Sequence, residues 1–403
     1  MFCGMIEMEG SSMMYSVRLQ KFWVVVTISV LVIVVFSSTG FTANEPDYKS
    51  AILMDAETGQ VLFEKSAHTQ VIPASVVKMM VLLIVLEKIE AGELHLSDIV
   101  TVSAWASKIG GQQVYLAEGE TFPLADLLKA VAISSANDAA TAIAEHVAGD
   151  ADAFVVMMNA RAKELHMEDT VFANEHGLPP DRGQKENYTT AYDIALLARE
   201  LLKHPQVLTW TSTIEDTSFR NGTFTLTNTN RQLLRNYRGL DGLKTGFHSR
   251  GAGFNVCATA KRQDVRLIAV VMGVPSKGDR YRAVVGLLNR GFNQFERVVV
   301  LRKGFTVGEP LRIENGKERA TTLVASENAV VLVEKGQEEA LKQTVHIPVD
   351  RIVAPVREGM RFGEVVISIG EQVVTKVDLV TENTIEKGSL VDRLKWWIVD
   401  KVS

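Results

Sequence analysis

The chain has 403 residues, 46% of them hydrophobic and 23% charged, which is ordinary globular composition and enough length for two domains with their own cores. That excludes a disordered chain, and a formal net charge of −5 leaves no basic footprint for nucleic acid. The only two cysteines are Cys3, ahead of an apolar run, and Cys257, in a strand-like stretch, so no disulfide framework is expected.

At the start, Arg18 and Lys21 precede an apolar run over 23–36, and Ser37-Ser38-Thr39-Gly40 follows. A basic region, an apolar region and small residues in that order predict an export signal over 1–43. As a helix the run rises only about 21 Å, short of a bilayer core of about 30 Å, which favours a signal over a membrane span. Phe41-Thr42-Ala43 lacks the small residue wanted at the first position of a cleavage site, so retention as an uncleaved anchor is the competing reading. Met13 or Met14 could serve as the start, because residues 1–12 add nothing to the signal pattern.

Next, Ser50-Ala51-Ile52-Leu53-Met54 and Gln60-Val61-Leu62-Phe63 flank Asp55-Ala56-Glu57-Thr58-Gly59 and predict a hairpin closed by glycine. Helical spacing follows over 75–91, 124–148, 151–166 and 190–203, with Thr190 and Asp193 marking one helix start. From Asp241 the period becomes β-like, with runs at 255–259 and 266–272 about the charged turn Lys261-Arg262-Gln263-Asp264. Strands first, helices in the middle and strands last predict an α+β domain over 46–292: one antiparallel sheet completed by both ends and covered by helices.

Beyond Phe295, short alternating strands at 311–313, 329–333, 364–369 and 373–380 are separated by Asn315-Gly316, Lys335-Gly336 and Gly370-Glu371. They predict a smaller all-β domain over 296–386. The sequence holds no His-Glu-x-x-His, no paired cysteines and no glycine-rich phosphate loop, so neither a metal nor a cofactor is expected. The last segment, 389–403, opens with Ser389 and Asp392 at capping-box spacing and places Leu390, Val391, Leu394, Trp397, Ile398 and Val402 on one arc of a helix. It predicts an amphipathic helix lying on a membrane surface; packing against the β domain is the alternative.

Three short motifs carry the chemistry. In Ser75-Val76-Val77-Lys78 the serine and lysine share a helix face, and the apolar run 79–86 gives the lysine no solvating reason to be there. A lysine removed from water has a lowered pKa, and a neutral amine can take the proton of a serine. Ser135-Ala136-Asn137 suits a loop between two helices. Lys244-Thr245-Gly246, after Asp241-Gly242-Leu243, suits an edge strand that receives a carboxylate: the lysine attracts it, the threonine hydrogen-bonds it and the glycine lets a chain approach.

In this order, and with Gly110-Gly111-Gln112-Gln113-Val114-Tyr115-Leu116 and Asn174-Glu175-His176-Gly177-Leu178 beside them, the motifs resemble those of the D-alanyl-D-alanine carboxypeptidases, low-molecular-mass penicillin-binding proteins of the bacterial cell wall. The resemblance covers nearly the whole chain and implies a β-lactamase/transpeptidase-like fold. It implies Ser75 as nucleophile, Lys78 as base and Ser135 as proton relay; Asn137, Lys244, Thr245 and Gly246 would bind substrate, and backbone N–H groups of Ser75 and Phe247 would form the oxyanion hole. The implied partners are peptidoglycan stem peptides ending in D-Ala-D-Ala, β-lactams and, through the terminal helix, the outer face of the cytoplasmic membrane.

Departures from the pattern are Ala136 in place of a common glycine, His248 in place of a common threonine, and a link at Ser249-Arg250-Gly251 one residue longer. His248 is expected at the cleft rim and His176 in a structural role. The competing functions are a D,D-endopeptidase using the same residues, a serine β-lactamase, for which a Glu-x-x-x-Asn loop between Ser135 and Lys244 is missing, and a non-catalytic penicillin-binding sensor.

Overall fold

A computed structural model of the chain describes residues 46–392 and Lys395, Arg182 excepted. The predicted export signal over 1–43, and Leu394, Trp397, Ile398 and Val402 of the predicted terminal helix, lie outside the described residues. None of the described helices is long and apolar enough to cross a membrane.

The first hairpin forms as expected, with β1 (Ser50–Asp55) antiparallel to β2 (Val61–Lys65). Its turn closes where the Asp55 carboxylate accepts from the Thr58 backbone N–H and hydroxyl, at 2.9 and 2.7 Å. Three long strands from the other end of the domain complete the sheet: β3 (Leu240–His248), β4 (Gly253–Arg262) and β5 (Val265–Val274). The order is β2-β1-β5-β4-β3, antiparallel throughout, with Ile52 opposite Val270 and Lys244 opposite Cys257.

Both faces of this sheet are covered, so its central strands are apolar without alternation. Ile52, Met54, Ile268, Val270 and Met272 join the core on one face, while Ala51, Leu53, Leu267, Ala269 and Val271 join the core on the other. The first core is built around α1 (Lys78–Glu90), in which every residue from Lys78 to Leu86 is buried. Around it pack α2 (Leu124–Lys129), α3 (Asn137–Ala148), α4 (Ala151–Glu164) and α5 (Ala191–Leu201), the last capped by Thr190, whose hydroxyl accepts from the Asp193 N–H.

The periodic stretch 124–148 is broken at the place where Ser135-Ala136-Asn137 suggested a loop: a π-helical turn over Ala130–Ser134 ends in Ser135 with left-handed backbone, φ 65°, before α3 restarts. The stretch 75–91 opens with a 3-10 turn, Ala74–Val77, ahead of α1. A further helix, α6 (Lys277–Gln294), covers the second face of the sheet and has no counterpart in the expectation. Gly278, Gly286 and Gly291 lower its helical propensity. Gly291 is also what lets it settle, since a Cβ there would meet Leu267 Cδ1 at 2.4 Å and Leu53 Cδ2 at 3.0 Å.

From Phe295 the chain is β-rich. Strands Phe295–Leu301 and Ala329–Glu334 pair, as do Leu341–His346, Arg361–Ile369 and Gln372–Thr381 around a core that includes Leu301, Val331, Val365 and Leu379. Gln60 at the end of the first hairpin's turn fastens this part to the sheet: its side-chain amide donates to Leu332 O and accepts from Leu332 N–H, at 2.7 and 3.1 Å. The start of the terminal helix is described only at its cap, where Ser389 and Asp392 exchange side-chain-to-backbone hydrogen bonds, as their spacing predicts.

Replacing Gly291 with Val forces α6 off the sheet. The expected loss is about 1–3 kcal/mol of stability, read as a lower thermal midpoint with Ser75 chemistry retained; an unchanged midpoint would show that α6 packs elsewhere.

Candidate active site

The site forms where the front end of α1, the Ser135 turn and strand β3 meet. Ser75 lies in the 3-10 turn Ala74–Val77, and Lys78 is the first residue of α1, with no solvent exposure. The turn presents the Ser75 N–H in a first helical turn, where backbone donors have no intrahelical acceptor. Lys78 Nζ lies 3.0 Å from Ser75 Oγ, 2.6 Å from Asn137 Oδ1 and 2.5 Å from the backbone oxygen of His176.

The three neighbours accommodate either protonation state. Asn137 Oδ1 and His176 O only accept, so they take two N–H bonds, and the Ser75 hydroxyl can donate or accept. An ammonium would donate to all three; a neutral amine gives two hydrogens to the carbonyls and its lone pair to the Ser75 O–H. Burial is the main force lowering the Lys78 pKa well below its ordinary 10.5; the nearby Lys244 ammonium lowers it further, while Glu175 and Asp138 oppose the shift.

Asn137 is fixed from the other side. Its side-chain N–H donates to Gly110 O and its backbone N–H to Gln112 O, both at 2.7 Å. The buried Asp138 carboxylate accepts from the backbone N–H groups of Val114 and Leu116, at 3.1 and 3.0 Å, so the 110–116 segment is tied to the start of α3 at both ends. Arg220 reinforces it, pairing with Glu120 at 2.6 Å and donating to Tyr115 O at 2.8 Å. Ser135 is buried at the turn two residues before Asn137.

Strand β3 closes the opposite wall. A Cβ on Gly246 would lie 2.5 Å from Pro73 O and 3.1 Å from Ser75 N, so only glycine lets the strand run against the serine turn. On the third side Gly177, at φ 79°, packs against Ala74; a Cβ there would sit 2.2 Å from Ala74 O. The Thr245 hydroxyl is 2.8 Å from that of Thr229. Phe247 follows Gly246 and is half exposed at the rim.

Of the sequence-predicted residues, Ser75, Lys78 and Asn137 are joined by direct hydrogen bonds, Gly246 abuts Ser75, and Lys244 lies near enough to act on Lys78 electrostatically. His176 meets Lys78 through its backbone oxygen; its ring accepts from Leu178 N–H at 3.0 Å, and burial, helped by Lys78, pushes its pKa down to about 3. His248 is partly buried, with neither ring nitrogen hydrogen-bonded.

Three contributors had no role assigned from the sequence, although Glu175 lies in the stretch Asn174-Glu175-His176-Gly177-Leu178. Glu175 is buried and accepts from the Thr141 hydroxyl, and burial raises its pKa. Thr229 backs Thr245. Arg280, 7% exposed on α6, has no side-chain hydrogen-bond acceptor among the described residues. It lies close enough to Lys244 to help lower that lysine's pKa, chiefly a burial effect, to about 7. No sequence signal marked Arg280, because the helix carrying it was not predicted.

Comparison with known proteins follows the same outline. The D-alanyl-D-alanine carboxypeptidase family model matches residues 38–276, and a model of the C-terminal domain of penicillin-binding protein 5 matches residues 295–387. The D-alanyl-D-alanine carboxypeptidase DacF of Bacillus subtilis is 34% identical over 350 residues, 86% of this chain and 88% of that protein. The structure of penicillin binding protein 5 from Haemophilus influenzae aligns with a TM-score of 0.74 at 28% identity, over 86% of this chain and 100% of that one. Penicillin-binding protein D2 of Listeria monocytogenes, solved in an ampicillin-bound form, aligns with a TM-score of 0.55 at 32% identity, over 61% of this chain and 97% of that one.

The Lys244 value gives a pH test. The folded lysine loses its proton near pH 7 and the unfolded one near 10.5, so between these values the unfolded chain binds more protons and stability rises with pH. The cost of burying the charged Lys244 is thus fully present below pH 7. Lys244→Met is expected to raise the thermal midpoint at pH 6, on the order of 2–4 °C for each kcal/mol recovered, with the gain shrinking toward pH 10. A gain independent of pH would contradict a buried, neutralisable Lys244.

Proposed function

This chain belongs to the D-alanyl-D-alanine carboxypeptidase family of low-molecular-mass penicillin-binding proteins, and from that membership and the contacts of Lys78 we propose that it removes the terminal D-alanine from peptidoglycan stem peptides through an acyl-enzyme on Ser75. The observation that carries this reading is the buried amine of Lys78, 3.0 Å from Ser75 Oγ with its other two contacts to pure acceptors.

Lys78 takes the Ser75 proton as Oγ attacks the carbonyl carbon of the penultimate D-alanine. Negative charge grows on the carbonyl oxygen, and the backbone N–H groups of Ser75 and Phe247 receive it, a contribution of about 3–4 kcal/mol per donor in comparable sites. The amide C–N bond breaks, and the departing amine receives a proton relayed from Lys78 through Ser135. Water then attacks the ester, Lys78 again accepting a proton, and Ser75 is released.

Substrate binding follows from the remaining groups. Asn137 is held by Gly110 and Lys78 and places its amide beside the reacting bond. Thr245, Lys244 and Arg280 present a hydroxyl and two basic side chains to the terminal carboxylate, whose position Gly246 allows. A β-lactam is an acyl donor with a carboxylate in the same relation and is expected to acylate Ser75, in keeping with the ampicillin-bound relative. The domain division expected from the sequence, a peptidase domain over 46–292 and a β domain over 296–386, is supported by the family matches on either side of residue 295.

The substrate lies outside the cytoplasm, so the apolar run 23–36 is read as the export signal. The segment 389–403 is read as an amphipathic helix that holds the enzyme on the outer face of the membrane; Leu390 and Val391, 81% and 74% exposed, begin its apolar arc. The full chain is expected to co-sediment with anionic lipid vesicles, and a chain ending before Ser389 to remain in the supernatant; equal partition would remove the membrane reading.

With diacetyl-Lys-D-Ala-D-Ala the purified protein should release D-alanine, and with penicillin it should form a long-lived adduct of the mass expected at Ser75. Ser75→Ala abolishes both. Lys78→Ala lowers the acylation rate by about 10²–10⁴-fold with the fold retained. Rapid nitrocefin turnover without a stable adduct would instead indicate a β-lactamase, and normal acylation of Lys78→Ala would remove Lys78 as the base.

A further inference from the structure

A cavity of about 360 Å³ is lined in part by Arg280 and by Thr229, whose hydroxyl is 2.8 Å from that of Thr245. Its walls come from Gln112, the 227–233 segment and the first turns of α6, and include Thr229, Asn230, Arg231, Lys277, Arg280 and Tyr281. Three of these are cations, and no Asp or Glu is among the described lining residues. The side-chain amide nitrogen of Asn230, a residue 4% exposed, is buried without an acceptor. Arg280, 7% exposed, has no side-chain hydrogen bond among the described residues and its guanidinium lies 5.9 Å from the centre of the Phe254 ring. A buried donor without a partner is costly, and one beside three cations in a cavity calls for a ligand that brings acceptors.

The cavity is built rather than incidental. Thr227 N–H donates to Ser134 Oγ at 3.0 Å and Thr229 N–H to Ile133 O at 3.2 Å, which ties the wall to the turn carrying Ser135. The Asn228 side chain donates to Thr211 O and Thr213 O, at 3.0 and 2.8 Å. On the other wall, Ser276 caps α6 by accepting from Asp279 N–H, which fixes the direction of Lys277 and Arg280.

Its position assigns it to the leaving group. In the proposed reading Thr245, Lys244 and Arg280 receive the terminal carboxylate, and in a D-amino acid the side chain branches from the carbon that bears this carboxylate. The cavity therefore takes the side chain of the residue that leaves. Space for roughly a dozen waters is far more than a methyl group fills.

Resting on the carboxypeptidase reading, we propose that this cavity is a leaving-residue subsite that accepts acidic D-amino acids, so that the enzyme also removes D-glutamate or D-aspartate following a penultimate D-alanine. Arg231 and Lys277 pair with the side-chain carboxylate, and Asn230 donates to it. The chemistry at Ser75 is unchanged: the same C–N bond breaks, and the amine of the acidic residue receives the proton.

The test compares diacetyl-Lys-D-Ala-D-X with X as D-Ala, D-Glu, D-Gln and D-Lys on the full chain. D-Glu is expected to leave with kcat/KM within about tenfold of D-Ala and at least roughly tenfold above D-Gln and D-Lys. Lys277→Glu should invert the order of D-Glu and D-Lys; Arg231→Glu is the second variant if the first fails to fold, and penicillin labelling of Ser75 checks both. Normal D-Ala release with D-Glu no better than D-Lys overturns the subsite and leaves the carboxypeptidase reading standing. Failure to release D-Ala removes both.

Discussion

Everything at this site depends on a lysine amine that has been taken out of water and given three partners. An ammonium ion buried without a counter-charge is so unfavourable that the group sheds its proton instead, and Lys78 has no carboxylate in direct contact. Asn137 Oδ1 and His176 O orient the amine, which leaves one direction for its lone pair, toward Ser75. In the proposed mechanism a neutral amine activates the serine, without the imidazole that many hydrolases use.

The surrounding structure can be understood as what holds those partners still. Asn137 reaches Lys78 only because the helical stretch breaks at Ser135 and restarts, and Asp138 then ties the 110–116 segment to the new helix. His176 O reaches the amine because Gly177 lets its loop touch Ala74, and Gly246 brings β3 to the same turn from the other side. The apolar surround of α1 is therefore both the fold's central core and the source of the base's altered pKa. Removing a core contact near Lys78 would alter stability and chemistry together.

Much of this was legible in the sequence. The Ser75 and Lys78 spacing, together with the apolar run after it, indicated a buried lysine within reach of the serine, and Lys78 is buried with its amine 3.0 Å from Ser75 Oγ. The switch from helical periodicity to β-rich runs after Asp241 marked the strands that complete the sheet. What stayed hidden had physical reasons. Helix α6 carries three glycines, so its pattern was weak, and Arg280 went unnoticed with it. Thr229 and Glu175 act through tertiary neighbours far away in sequence, and no local pattern encodes a partner 16 or 34 residues distant. Periodicity alone also ran the 124–148 stretch straight through Ser135, where the backbone turns left-handed.

The most direct test of the central claim is a titration of the Lys78 amine itself, followed by NMR in protein labelled at the lysine Nζ, with the signal assigned by its loss in Lys78→Arg. A midpoint well below 10.5, in protein whose surface lysines titrate normally, is the predicted result. A Lys78 amine that titrates with those surface lysines, near 10.5, would contradict the account, because a protonated Lys78 cannot accept the Ser75 proton.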